Sequence, residues 1–164
     1  YNTLSGRLVS RFKHHGDLSC GQEIANQITS TVSAKYAPQQ VPIDVLIPVP
    51  LHRNKLLKRG FNQAAEIAKP LSSELSVPLL LDACTRNHDI PPQQSLKKSA
   101  RKQHVKHVFS VKTEAITRIA GKRIAIIDDV VTTGSTANAL CHSLFDAGAL
   151  GCEIWCFART PTES

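Results

Sequence analysis

Hydrophobic and polar positions alternate along this chain in blocks that switch between helical and strand periods. The densest apolar block is Ile124-Ala125-Ile126-Ile127, which runs into Asp128-Asp129, resumes at Val130-Val131 and ends in Thr132-Thr133-Gly134-Ser135-Thr136. An unbroken apolar run fits a strand buried on both faces, here over Arg123 to Asp128. Leu4, Leu8, Val9 and Phe12 share one helical face, broken by His14-His15-Gly16-Asp17. A second helix is expected from Ser19, whose hydroxyl would cap it, with an Ile24, Ile28, Val32 stripe. Asp44 to Ile47 reads as a buried strand stopped by Pro48-Val49-Pro50, because proline gives the ladder no N–H. Residues 51–60 read as a basic loop closed by Gly60. Phe61 to Leu75 is a helix by the spacing of Phe61, Ala64, Ala68, Leu71 and Leu75, with a kink or break expected near Lys69 because of Pro70. Leu79 to Leu81, Phe109 to Val111 and Cys152 to Phe157 read as further strands. Ala137 to Ala147 reads as a helix with Ala137, Leu140, Cys141, Leu144 and Phe145 inward, ended by Gly148.

Strands alternating with helices specify an α/β domain with a mostly parallel sheet flanked by helices. At 164 residues, a single domain spanning the whole chain is expected, with residues 1–40 as its helical N-terminal part. Ligands of such sheets bind beyond the carboxyl ends of the strands. Asp128, the turn at 132–136 and the loop after Ile47 all fall at that edge. Residues 86–107 carry Pro91, Pro92 and a basic run, and are long for a plain connection. A functional lid or a disordered segment is the expectation there.

Composition narrows the partners. Lys and Arg number 20 against 13 Asp and Glu, a net charge of +7. The excess gathers at Arg53, Lys55, Lys58 and Arg59, and again at Lys97, Lys98, Arg101, Lys102 and Lys106. Both clusters imply a phosphate-rich partner, either a small diphosphate or a nucleic acid. No apolar run reaches membrane-spanning length and no secretory signal precedes the first helix, so a cytoplasmic protein without membrane insertion is expected. The five cysteines (Cys20, Cys84, Cys141, Cys152, Cys156) form no C-x-x-C pair and read as buried thiols in a reducing compartment. The chain opens on Tyr1 rather than Met, which fits a fragment.

The acids and the hydroxyl-rich turn carry the chemistry. Neighbouring carboxylates repel each other, and a cation or a hydroxyl-bearing ligand relieves that repulsion. Thr132, Thr133, Ser135 and Thr136 add hydroxyls to the backbone amides around Gly134, a cradle for an anion at a helix start. No Lys follows Gly134 as in a Walker-type loop, and the dinucleotide fingerprint is absent. A single phosphate on a ribose is therefore the simplest ligand. Arg53 and its neighbours follow a strand directly and suit a second anion.

The stretch IAIIDDVVTTGST resembles the phosphoribosyl-pyrophosphate (PRPP) binding motif of type I phosphoribosyltransferases. PVPLH, RGFNQA at 59–64, R-x-H-x-x-P-P-Q from Arg86 to Gln93 and R-x-x-H-V from Arg101 to Val105 resemble the ComF/GntX family more narrowly. Phe12 to Gly16 is similar to that family's early F-K-Y-x-G element. The resemblance implies a type I phosphoribosyltransferase fold in which Asp128 and Asp129 hold the ribose hydroxyls. Val131, Thr132, Thr133, Gly134, Ser135 and Thr136 would wrap the 5′-phosphate. Leu51, His52 and Arg53 would bind pyrophosphate, with Arg53 and the acids as the catalytic set. Residues 87–106 would be a mobile closing loop. Mg²⁺ would enter with PRPP rather than through a dedicated protein site. The family is associated with natural transformation, so single-stranded DNA and the DNA-uptake machinery are implied partners. Three roles stay open: a transferase acting on PRPP, a single-stranded DNA-binding factor without turnover, and a PRPP-sensing regulator. The family usually has Asn at the position of His104 and Arg or Lys at that of His88. Many members carry a Cys₄ zinc element ahead of the first helix, which this sequence lacks.

Overall fold

The computed structural model describes residues 3–15, 17–36, 41–87 and 108–160. Its centre is a parallel sheet of β1 (Val45–Pro48), β4 (Arg123–Val131) and β5 (Gly151–Arg159), in the order β1-β4-β5. Outside β1, the segment expected as a strand at Leu79 to Leu81 contributes one parallel bridge, Leu46 to Leu79. Pro78 explains the shortness, since it withholds a donor just where pairing would begin. The edge still holds, because the Leu46 N–H donates to Pro78 and the Leu80 N–H donates to Leu46.

Successive β4 residues serve opposite layers, as the strand period requires. On one side Ala125 and Ile127 join Leu46, Trp155 and the apolar faces of α1 (Thr3–His15), α2 (Leu18–Lys35) and α4 (Gln63–Leu75). On the other, Ile124 and Ile126 join Val45, Ile47 and Leu140 and Leu144 of α6 (Ser135–Asp146). A two-stranded antiparallel ribbon, β2 (Cys84–Arg86) with β3 (Phe109–Val111), belongs to this second layer. A 3₁₀ turn (Thr113–Ala115) and α5 (Ile116–Ile119) then lead into β4. Neither β2 nor α5 stands out in the sequence, because each is too short to show a period.

Several expectations are corrected by local chemistry. The N-cap of α2 is Asp17, whose carboxylate accepts from the Ser19 N–H, so the helix starts ahead of Ser19. Residues 53–59 are a helix, α3 (Arg53–Arg59), rather than a loop. It is capped by His52, whose Nδ1 accepts from the Asn54 N–H, and ended by Gly60 at φ 82°. The helix α4 continues through Pro70 without a break. In α6 Phe145 faces solvent, 47% exposed, while Ala139 is buried in its place. The expected closing loop at 87–106 lies outside the described residues apart from Asn87, as do Lys97, Lys98, Arg101, Lys102 and Lys106.

Candidate functional site

Chain order and spatial order reverse between β1 and β4. The chain leaves β1 toward Leu79 on one side and leaves β4 toward β5 on the other. A crevice opens at such a switch point, beyond the carboxyl ends of the strands. β1 is the shorter wall. Its last pair is Pro48 with Ile127, after which the Val49 N–H donates to the Ile127 carbonyl at 2.9 Å. β4 continues four residues further, to Val131, with β5 alone beside it.

Both acids therefore lie inside β4, not at its tip as the sequence suggests. Alternation separates their side chains. Asp128 is half-buried and lines the crevice cavity, whereas Asp129 is 6% exposed. Each carboxylate accepts the next backbone N–H, Asp129 to Asp128 Oδ1 at 2.9 Å and Val130 to Asp129 Oδ1 at 2.8 Å. Cys156 pairs with Asp128 across the ladder. Burial pushes its thiol up, and the Asp128 charge adds to that.

After Val131 the chain turns through Thr132 and Thr133 to Gly134, at φ 74°, which serves as the N-cap of α6 without a side-chain cap. Only glycine adopts that backbone without strain. The Thr133 and Ser135 hydroxyls lie 2.9 Å apart, and Thr133 Oγ1 accepts from the Ser135 N–H at 3.3 Å. The first N–H groups of α6 have no partner within the helix, and its dipole adds positive potential there. Asp128, Val130 to Thr136 and Ala137 line a cavity of about 40 Å³. That is the scale of one or two waters, suited to a small oxyanion and too small for a nucleobase. The structure thus brings Asp128, Val131, Thr132, Thr133, Gly134, Ser135 and Thr136 together.

The second wall is less enclosed. Leu51 and His52 are half-buried on the loop that Val49 anchors beside β4. Arg53 is exposed at the start of α3, a helix with no buried residue. Asn62 locks this wall: its Oδ1 accepts from the Ala64 N–H at 3.1 Å, and its Nδ2 donates to the Val49 carbonyl at 3.0 Å. Gln63 beside it is 3% exposed, with its Nε2 buried and without a hydrogen-bond partner. An unfilled buried donor of this kind costs about 1–3 kcal/mol. The sequence marks Asn62 and Gln63 only as part of the RGFNQA resemblance, since periodicity treats both as an ordinary helix start.

The fold is that of the type I phosphoribosyltransferases. Glutamine PRPP amidotransferase from B. subtilis superposes with a TM-score of 0.51 at 18% identity, covering 82% of this chain and 26% of that one. Adenine phosphoribosyltransferase from Saccharomyces cerevisiae superposes with a TM-score of 0.51 at 18% identity, covering 87% and 69%. Sequence is more specific than shape here. Competence protein F of Haemophilus influenzae is 31% identical over 153 residues, covering 93% of this chain and 66% of that protein. The DNA utilization protein YhgH of Escherichia coli K12 is 35% identical over 121 residues, covering 74% and 51%. Competence protein ComFC of Bacillus subtilis is 30% identical over 148 residues, covering 90% and 56%. The chain belongs to the ComF family, and it spans between about half and two thirds of the length of these relatives. No protein-family model matches it.

Proposed function

We propose that this chain binds PRPP and acts in the handling of incoming DNA. The observation that carries the ligand is the α6 cradle, with its amides and hydroxyls, opening beside Asp128 at the switch point. The 5′-phosphate belongs in that cradle, where each charge-assisted hydrogen bond contributes about 1.5–3 kcal/mol. Asp128, on the crevice side, accepts from the ribose hydroxyls, with Asp129 buried behind it, and Leu51, His52 and Arg53 face the pyrophosphate. Transfer or hydrolysis at the anomeric carbon follows from that pose. Positive charge develops on the ribose ring, which the acids stabilise, and negative charge on the leaving pyrophosphate, which the basic wall stabilises.

The two acids supply hard carboxylate oxygens suited to Mg²⁺. On this reading the ion would enter with PRPP. When bound, Mg²⁺ would supply charge neutralisation on the diphosphate. Calorimetry with PRPP and Mg²⁺ is expected to show binding that the Asp128→Ala, Asp129→Ala double variant abolishes. Unchanged affinity in that variant would defeat the assignment.

The names of the relatives, competence and DNA utilization proteins, together with the +7 charge, favour a single-stranded DNA partner as a second role. Phosphate contact of that kind releases counterions and makes affinity fall with salt. This reading goes with a cytoplasmic location; no helix among the described residues is long and apolar enough to cross a membrane.

A further inference from the structure

Arg59 ends α3 on the side where the chain turns back to the body through Gly60, at φ 82°. Of the four cations in α3, it is the half-buried one. Its Nη1 donates to Gln63 Oε1 at 2.7 Å. Gln63 in turn sits at the first position of α4, which Asn62 ties to the Val49 carbonyl, and Val49 is laddered to Ile127. A chain of three hydrogen bonds therefore fixes the Arg59 guanidinium to the short wall of the crevice that Asp128 lines.

The state of Gln63 shows what it is for. Its carboxamide is buried, its oxygen is used by Arg59, and its nitrogen has no partner. A leucine there would fill similar space without a stranded donor, so packing alone does not select glutamine. What the residue supplies is an acceptor that holds the guanidinium in one orientation. A guanidinium has five N–H donors in a planar fork, and one engaged nitrogen leaves an edge that matches two phosphate oxygens. Lysine cannot reproduce that fork.

We propose that Arg59 is a catalytic residue contacting the pyrophosphate end of the ligand, and that Gln63 is its positioning residue. The inference rests on the PRPP reading above and gives a role to a residue that the sequence placed in a basic cluster and in the RGFNQA resemblance without one. As the anomeric C–O bond breaks, its electron pair leaves on the pyrophosphate oxygen, while an acceptor nitrogen or a water oxygen forms the new bond to that carbon and gives up its proton to the released pyrophosphate or to solvent. Arg59 offers its free edge to the departing charge, and the Gln63 contact keeps that edge aimed before the bond breaks.

Two probes separate this role from a merely structural one: inorganic pyrophosphate with Mg²⁺, and ribose 5-phosphate. Arg59→Gln is expected to weaken pyrophosphate binding at least tenfold while ribose 5-phosphate binds as in the parent, which also shows that the variant is folded. Gln63→Leu is expected to melt at or above the parent temperature and still lose pyrophosphate affinity several-fold. Arg59→Lys should recover only part of it. A wild-type protein that binds neither probe overturns the PRPP reading and this inference with it. A wild-type protein that binds both, with Arg59→Gln and Gln63→Leu taking pyrophosphate normally or losing both probes equally, overturns the inference and leaves the PRPP reading standing.

Discussion

Gly134 and Gly21 are both irreplaceable, for opposite reasons. Around Gly134 there is room, since a Cβ would meet nothing nearer than Val131 Cγ1 at 4.0 Å. The cost of Gly134→Ala is in the backbone, about 1–2 kcal/mol for a left-handed conformation. Relief of that strain would swing the α6 amides away from the cradle. A small drop in melting temperature with a large loss of ribose 5-phosphate affinity is expected, and an unchanged affinity would show that the turn does not bind phosphate. Gly21 sits where α2 meets α1, and a Cβ there would lie 2.8 Å from the Phe12 ring. Alanine would ordinarily strengthen a helix interior by about 1 kcal/mol. Overpacking wins here, and Gly21→Ala should destabilise the fold by about 1–3 kcal/mol in a urea titration. Glu153 sets a pH response. Burial pushes its carboxyl up, but hydrogen bonds from Tyr36, Trp155 and Lys35 more than offset this and hold it below its ordinary value. A carboxyl depressed in the fold stabilises above its unfolded pKa, and that stability is lost as pH falls through the folded value. Glu153→Gln should therefore lose less melting temperature than the parent on going from pH 7 to pH 3.5.

At the scale of elements, the short wall depends on one side chain. Asn62→Ala removes the N-cap of α4 and the tie to Val49 together. The cap alone contributes about 1 kcal/mol. The expected signature is a loss of stability larger than that, with weaker pyrophosphate binding. The same wall shows what could be read in advance and what could not. β4 was legible because four consecutive apolar residues have few other fates, and α6 because Gly134 and Gly148 bracket its stripe. The helix α3 was not legible: it buries nothing, so no period marks it, and its existence depends on the caps at His52 and Gly60. The strand at Leu79 was overread because three leucines outweighed Pro78. The acid pair reads as lying at a strand tip, because Val130 and Val131 read equally well as turn or strand until β5 is known to pair with them. Asn62 and Gln63 escaped periodicity because their roles are hydrogen bonds to residues distant in pattern, Val49 and Arg59.

For the molecule as a whole, the two proposed binding modes would share one charged body. The net charge of +7 predicts nucleic-acid binding whose log affinity falls steeply with log salt. PRPP binding uses a few enclosed contacts and is expected to respond less. A titration of single-stranded oligonucleotide binding against salt, with and without PRPP and Mg²⁺, tests whether the two are coupled. A shallow salt slope would remove the DNA role.

The ladder that pairs Ile127 with Trp155 and Asp128 with Cys156 also makes the chemistry of the crevice a matter of parity. Each step along β4 reverses the side a residue serves. Inserting one amino acid between Arg123 and Ile127 would hand Asp128's seat at the opening to a neighbour and exchange the two core layers that the apolar residues of β4 serve. Inserting two would restore the alternation. The identity of the carboxylate that greets a ligand is thus counted out from the far end of the strand, where Arg123 is pinned to Asp44.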